Sequence, residues 1–441
     1  MKNYTRNTLA GTFISAFLVA CGGGSSGESG GSSSGTPGTT LPPTTTATIT
    51  RTGLSGCVAK QLEGTATDQG LAIARVSLLQ VVEQLPEATE TVLAGGKGVV
   101  VRLDITAPKS GVVMPKAKLL IGHDGEVACT EIAFSSASGT APVAVDRQTM
   151  ASSLKAVIPA AEIREGLTYM ILVDGETPST KTAADRLFRV GKLNVTDALE
   201  EEVIIMPLTF QGETGSAASE ADIKSLMSRT LPVSDITVTK NADISLAALK
   251  VSDATLTDGV YYFPESKLND ALVELNNQCL SLIGTGLPTQ SAPHCVGVWP
   301  SNIVFGTPSN RTLGKAFTGG YSMMVASFTT TDDPGATGPY GSHWLTQGAL
   351  NFLHEYGHVL GLHHAACGVT GIVDAGLYAD GRLGDRAGYD AGREFYFLGS
   401  ASNGFADIMS YCGKGWHSDK GYRKIIDYKL NGIPVTDGPT G

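Results

Sequence analysis

The stretch HEYGHVLGLHH, residues 354–364, holds four of the eight histidines in this 441-residue chain. If its first five residues are helical, His354 and His358 lie one turn apart on the same face, where two imidazoles can bind one metal ion. Gly361 follows three residues later and His364 three residues after that, which gives the pattern H-E-x-x-H-x-x-G-x-x-H. The stretch therefore predicts a metal-binding helix that ends near a glycine.

This spacing is typical of a catalytic zinc site. Gly361 can adopt positive φ, end the helix and turn the chain so that His364 approaches the ion from a third direction. Three neutral imidazoles leave Zn²⁺ a fourth position for water, as in catalytic sites and not in structural ones. Glu355 then becomes the candidate general base for that water and for the leaving amine.

The pattern resembles that of the metzincin zinc proteases. The resemblance implies a tight turn with a methionine beneath the metal, and FADIMSYC at 405–412 supplies Met409, 45 residues after His364. It also implies that His364, and not the competing His363, is the third ligand. Tyr411 resembles the tyrosine that approaches zinc or the oxyanion in the astacin and serralysin branches.

The residues around these motifs are similar to a bacterial branch of metzincins that includes secreted, StcE-like, mucin-cleaving lipoproteins. The similarity lies in HAACG at 364–368, MSYC at 409–412 and the following Trp416, within a match over residues 200–430. It implies that residues 314–328 form a sheet-edge strand above the cleft, where an extended polypeptide or glycoprotein substrate pairs with the backbone.

The N-terminus predicts export and a lipid anchor. Residues 1–20 begin with two basic side chains and continue with an apolar stretch too short for a permanent membrane span, so they are expected to be a signal peptide. LVAC at 18–21 resembles the bacterial lipobox, which implies lipidation of Cys21. Gly22 then implies, by resemblance to lipoproteins of Gram-negative bacteria, the outer membrane, facing the periplasm or the exterior. A plain signal peptide with a chance cysteine is the alternative.

Composition and periodicity divide the rest of the chain into three parts. Residues 21–50 are rich in Gly, Ser, Thr and Pro, which predicts a flexible tether. Residues 51–199 alternate apolar and polar positions between turn residues, which predicts a β-sandwich of immunoglobulin-like type. Residues 200–441 interleave strands with helices, which predicts an α/β domain, metzincin-like by the resemblance above. The expected fold class is multidomain α+β.

Six cysteines remain besides Cys21, and an even number in an exported chain predicts disulfides. Sequential pairing is our hypothesis among the many possible connectivities. It joins Cys57 to Cys129, Cys279 to Cys295 and Cys367 to Cys412. A cysteine zinc cluster is the competing interpretation, although none of the six shows CxxC spacing.

The remaining histidines are expected to be ordinary. His123 lies in a Gly-His-Asp-Gly turn and is predicted to be solvated, whereas His294, His343 and His417 are predicted to have surface or packing roles. A substrate contact is the alternative for His417, because it closely follows the methionine turn. None of them has the ligand spacing of the main motif.

Together these features predict a secreted, lipid-anchored zinc endopeptidase. The formal net charge of −10 and the lack of a Lys/Arg run argue against nucleic-acid binding. Two alternatives remain: an adhesin or binding lipoprotein that keeps a zinc site without turnover, and a zinc hydrolase acting on non-peptide bonds. Glu355 favours an enzyme over the first, and the methionine turn argues against the second.

Overall fold

The structure is a computed structural model that describes residues 54, 70–173, 188–284, 286–329, 345–369, 373–399 and 404–432, together with the backbone of strand β1 (Leu18–Gly22). The rest of the predicted signal peptide and tether lies outside the described residues. Within the described part, none of the helices has both the length and the apolar character needed to cross a bilayer. The α-helices are α1 (Glu220–Thr230), α2 (Glu265–Ile283), α3 (Gln347–Val359) and α4 (Asp419–Asn431). The predicted mixed α+β class is confirmed.

The first part of the chain is formed by strands in two sheets that share a core. The strands are β2 (Ala72–Gln80), β3 (Val82–Gln84), β4 (Leu93–Gly95), β5 (Val99–Thr106), β6 (Ala117–His123), β7 (Thr130–Ala133), β8 (Ser135–Ser136), β9 (Leu154–Ile158), β10 (Leu167–Val173), β11 (Phe188–Lys192) and β12 (Val195–Ala198). One sheet runs β3-β2-β5-β9-β8 and the other β11-β10-β6-β7, while β4 pairs with β12. Leu103 of β5 and Leu119 of β6 lie in the same buried cluster, so the two sheets bury one core between them.

His123 is buried and not solvated, so its predicted loop position is wrong. Strand β6 continues through His123, which pairs with Leu167 of β10, and the turn begins only after it. The side chain is 3% exposed, and its Nε2 lies 3.0 Å from the carbonyl oxygen of Glu162. The pairing of β6 with β10 extends one residue further than the Gly-His-Asp-Gly pattern suggests. The imidazole of His123 therefore lies in the sheet and is buried.

The second part of the chain is built on a larger mixed sheet. The strands of this part of the chain are β13 (Glu200–Pro207), β14 (Thr209–Phe210), β15 (Glu213–Thr214), β16 (Asp235–Lys240), β17 (Thr255–Thr257), β18 (Val260–Phe263), β19 (His294–Trp299), β20 (Ile303–Thr307), β21 (Asn310–Phe317), β22 (Ser322–Ala326), β23 (Ala387–Asp390), β24 (Phe395–Leu398), β25 (Phe405–Asp407) and β26 (Lys414–Trp416). The large sheet runs β16-β13-β19-β22-β21-β20-β18-β17, with β1 antiparallel along β21. Its members β16, β13, β19 and β22 are mutually parallel.

Both faces of the large sheet are covered by helices. Along β13, Val203 and Ile205 enter the buried cluster that contains residues of α1, α3 and α4, whereas Ile204 and Met206 enter the cluster around α2. Successive side chains of a strand point to opposite faces, so a strand buried on both sides needs a continuous apolar run. The sequence VIIMP at 203–207 satisfies this requirement.

The two parts of the chain share a sheet. The hairpin of β23 and β24 comes from the segment between the histidine motif and the methionine turn, yet it joins β3, giving the order β24-β23-β3-β2-β5-β9-β8. Gly388 of β23 pairs with Val82 of β3. The sheet of the first part thus includes a hairpin from beyond residue 200.

Two of the three predicted disulfides are present. Cys279 is bonded to Cys295, which ties α2 to β19, and Cys367 is bonded to Cys412, which closes the segment between the third histidine and the methionine turn. Cys129 is also disulfide-bonded, while its predicted partner Cys57 lies outside the described residues.

Candidate metal centre

Helix α3 positions the first three residues of the motif. The Thr346 hydroxyl caps the helix by accepting a hydrogen bond from the Ala349 N–H. His354 and His358 lie one turn apart, with ring centroids separated by 5.0 Å, and are 7% and 0% exposed. Glu355, between them, is also buried.

The third histidine reaches the pair through a glycine turn. Gly361 has φ +82°, a conformation open to glycine at little cost, and its N–H donates to the His358 carbonyl. The chain then reverses, and His364 returns to the helix. The candidate ligand atoms of His354, His358 and His364 all lie within 4.8 Å of one another. The three predicted ligands therefore lie together.

Two of the rings are oriented by backbone carbonyls. His354 Nδ1 donates to the Ile408 carbonyl at 2.7 Å, and His358 Nδ1 donates to the Leu362 carbonyl at 2.7 Å. A carbonyl oxygen only accepts, so each Nδ1 carries the proton and each Nε2 presents a lone pair. Among the described residues, the buried Nε2 of His354 finds no hydrogen-bond partner, and a buried lone pair without a donor is what a bound cation would satisfy.

Burial keeps the rings neutral. It lowers the pKa of His354 to about 4 and that of His364 to about 3. The pKa of His358 is lowered well below its ordinary value, first by burial and then by the neighbouring histidines. At neutral pH all three imidazoles are therefore in the form that binds metals.

Met409 lies directly against helix α3. A Cβ added to Gly357 would lie 2.4 Å from its sulfur, so only glycine at this helix position allows the contact. The turn is held by Asp407, whose Oδ1 accepts from the Met409 N–H at 3.0 Å and whose Oδ2 accepts from the Ser418 N–H at 3.3 Å. The predicted methionine is thus fully buried beneath the histidine helix.

Tyr411 and Glu355 complete the centre. The Tyr411 hydroxyl lies 2.9 Å from His364 Nε2, and its ring stacks on His354 with centroids 5.4 Å apart. Strand β21 runs past Glu355 so closely that a Cβ on Gly314 would lie 2.4 Å from the Glu355 Cγ. The two residues predicted to be catalytic therefore lie at the metal ligands: Tyr411 contacts His364 and His354, and Glu355 is adjacent to His354 in helix α3.

The donor set fits Zn²⁺. Three neutral imidazoles that converge on one point, two of them oriented through Nδ1, match the ligands and outer hydrogen bonds of zinc sites. Among the described residues no other group of three His, Cys, Asp or Glu side chains converges in this way. His363 is partly exposed and lies outside the group, and the fully buried His417 does not belong to it either.

A buried polar network behind helix α3 was not predicted. Glu201 of β13 lies 2.6 Å from His294 Nδ1, accepts a hydrogen bond from the Tyr356 hydroxyl at 2.7 Å, and pairs with the Lys429 ammonium at 3.0 Å. Tyr356 is the residue directly after Glu355, so the network fixes the back of the metal-binding helix. The sequence carries no signal for this network, because Glu200, Glu201 and Glu202 are identical in type and only the middle one is buried.

The charge of Glu201 depends on this pairing. Burial alone would raise its pKa, but the electrostatic interactions with His294 and Lys429, together with the hydrogen bonds from His294 and Tyr356, lower the pKa to about 2. Its folded pKa thus lies below the ordinary 4.5. The contribution to stability is present above the ordinary value and is lost as the pH falls toward the folded one.

We predict that Glu201→Gln lowers the free energy of unfolding at pH 7 by about 3 kcal/mol, because it leaves the buried Lys429 without its counter-charge. The loss of stability on acidification below the ordinary carboxyl pKa should also be shallower than in wild type. Urea unfolding followed by circular dichroism at pH 7, 4.5 and 3 measures both effects. The matched control is the exposed neighbour Glu202→Gln, for which we expect a change below about 0.5 kcal/mol. Equal effects of the two variants would contradict the role of Glu201.

No protein-family model matches the chain, and no curated protein matches it either.

Proposed function

We propose that this protein is a zinc-dependent endopeptidase of the metzincin type that hydrolyses peptide bonds of extracellular proteins or glycoproteins. The observation that carries the proposal is the convergence of three neutral imidazoles within 4.8 Å, beside a buried glutamate. The methionine beneath helix α3 and the tyrosine at His364 support the same class.

Each residue of the site has a separate role in the proposed peptide hydrolysis. His354, His358 and His364 would hold Zn²⁺, which supplies Lewis acidity that polarises a carbonyl and lowers the pKa of water. Glu355 accepts the proton of the attacking water and delivers it to the leaving amine. The Tyr411 hydroxyl donates a hydrogen bond to the carbonyl oxygen as negative charge develops on it. Met409 supports the histidine helix from below with an apolar contact.

Strand β21 supports a polypeptide as the substrate. It passes directly over Glu355, and its outer side takes an additional antiparallel strand, since β1 pairs there with residues 312–317. An extended substrate would add its backbone to the same edge, as in β-strand addition. This edge overlaps the predicted segment 314–328 only at residues 314–317. The rest of that segment contains β22, which lies inside the sheet between β19 and β21, so the prediction of one edge strand over 314–328 is wrong beyond residue 317.

We also propose export with a lipid anchor at Cys21, and an immunoglobulin-like character for the two sheets of the first part. The disulfides Cys279–Cys295 and Cys367–Cys412 support an oxidising compartment. The lipobox-like LVAC at 18–21 supports lipidation, and the shared core of two antiparallel sheets supports a sandwich.

We predict that Glu355→Gln abolishes cleavage of casein and mucin, by at least about 100-fold, because the amide cannot accept the proton. Zinc content, measured by mass spectrometry of the dialysed protein, should remain equal to that of wild type, and a chelator should inactivate wild type. His363→Ala serves as the control and should retain both zinc and activity. Cleavage that survives Glu355→Gln or chelation would exclude the proposed mechanism. A wild-type protein that binds zinc but cleaves neither casein nor mucin would favour the alternative function, a binding lipoprotein that keeps a zinc site.

Gly314→Ala should reduce kcat by about tenfold or more, because the new Cβ displaces the Glu355 side chain from its position. Zinc affinity should not change, since the ligands are not touched. Gly139→Ala is the matched control, because a Cβ there meets no atom within 4 Å. Unaltered turnover by the Gly314 variant would show that the close approach of β21 to Glu355 is unimportant for catalysis.

For the anchor, we expect an alkyne-labelled fatty acid to be incorporated into the protein expressed in a Gram-negative host. Cys21→Ala should abolish the label and release the protein from the membrane fraction, because the acylated thiol is lost. Equal labelling of the two proteins would contradict lipidation at Cys21.

A further inference from the structure

A bend in the first part of the chain shares a buried cluster with the methionine turn. The bend consists of residues 80–83, which run from the last residue of β2 through Val81 into β3, and we call it the 80–83 bend. Val81 and Val82 are each 1% exposed, and their side chains lie in the same buried cluster as Ile408 and Met409 of the methionine turn. The bend is thus part of the core beneath the histidines.

Val81 has an unusual backbone conformation. Its φ is +70°, which is rare for a β-branched residue and costs on the order of 1–3 kcal/mol. In this conformation its carbonyl oxygen accepts two hydrogen bonds from the second part of the chain, from the Trp416 indole N–H at 2.8 Å and from the Tyr389 N–H at 2.8 Å. The strain is therefore offset by contacts across the two parts.

The hydrogen bonds continue from Trp416 to a metal ligand. The Trp416 carbonyl accepts from the Ile408 N–H at 2.7 Å, and the Ile408 carbonyl accepts from His354 Nδ1 at 2.7 Å. Three successive hydrogen bonds thus lead from Val81, through Trp416 and Ile408, to His354. Because the last of them sets the orientation of an imidazole ligand, displacement of Trp416 would rotate that ring.

The other residues of the bend are fixed to the second part as well. The Gln80 side chain accepts a hydrogen bond from the Tyr422 hydroxyl of α4. Val82 pairs with Gly388, and the buried Glu83 carboxylate accepts from the Ala387 N–H at 3.2 Å. Every residue of the 80–83 bend is therefore held by a contact with a residue beyond position 380.

We infer that the first part of the chain is a permanent component of the metal centre, and that Trp416 is a positioning residue that transmits its support to His354. This excludes a role for residues 70–199 as a detachable segment that only masks the cleft. The inference rests on the proposed function because it takes zinc as the metal that the three histidines bind. It concerns the affinity of the site for zinc and not the rate of peptide cleavage.

The test compares two buried tryptophans. Trp416→Phe removes the indole N–H and keeps an aromatic ring against Phe397, whose ring lies edge-on at 5.2 Å. Trp299→Phe is the control: Trp299 is 2% exposed, against 3% for Trp416, and lies in the core cluster around α2 on the other side of the sheet. The full chain is titrated with zinc against a chromogenic chelator, and the melting temperature of the metal-free protein is measured separately.

We expect Trp416→Phe to raise the zinc dissociation constant by about tenfold, within the range for loss of support to a metal ligand. Trp299→Phe should leave the zinc dissociation constant unchanged. It should lower the melting temperature of the metal-free protein at least as much as Trp416→Phe does. Equal dissociation constants for Trp416→Phe and wild type, or equal weakening by both variants, would overturn the inference. If Trp416→Phe does not fold, Tyr422→Phe decides by the same titration, since it releases Gln80 of the bend and should also weaken zinc binding.

A wild-type protein that binds zinc but cleaves no polypeptide would overturn the proposed function, and the zinc titration would still decide the inference. A wild-type protein that binds no zinc would overturn both.

Discussion

The candidate site depends on how imidazole rings are oriented. Two of the three ligands donate from Nδ1 to a main-chain carbonyl, which leaves Nε2 as the inward lone pair. Burial then removes the competing proton by lowering the pKa of each ring. Neither condition alone is sufficient, because a neutral ring that points elsewhere binds nothing and a converging set of charged rings repels a cation. The fold provides both conditions at the same place.

The two glycines near the site show how closely the scaffold must approach these rings. Gly357 lets the Met409 sulfur contact helix α3, and Gly314 lets strand β21 pass over Glu355. In each case any larger side chain would occupy space that the site needs. The metal centre is therefore formed by the helix, the sheet above it and the turn below it acting together.

The local part of this centre could be predicted from the sequence. The spacing of His354, Glu355 and His358 needs only helical periodicity, and Gly361 indicates the turn that returns His364. Met409 and Tyr411 were found through family resemblance and not through physical reasoning. The disulfides Cys279–Cys295 and Cys367–Cys412 followed from pairing cysteines that are neighbours along the chain.

What could not be predicted depends on contacts between distant residues. Glu201 and Lys429 are separated by 228 positions, and nothing local to either indicates that they meet. Val81 and Trp416 are 335 positions apart. The acceptor is a main-chain carbonyl, which every residue has, so the residue type does not indicate the hydrogen bond. The hairpin of β23 and β24 was also missed as a member of the first sheet, because strand pairing is set by the packed fold and not by the strand's own residues. His123 was misjudged for the same reason, since its burial follows from pairing with β10.

The most direct test of the central claim is X-ray absorption at the zinc edge, combined with elemental analysis of the purified protein. We predict one zinc per chain, with three imidazole nitrogens at about 2.0–2.1 Å and one further light ligand. A protein that contains no zinc, or a spectrum that shows sulfur ligands or fewer than three imidazoles, would contradict it.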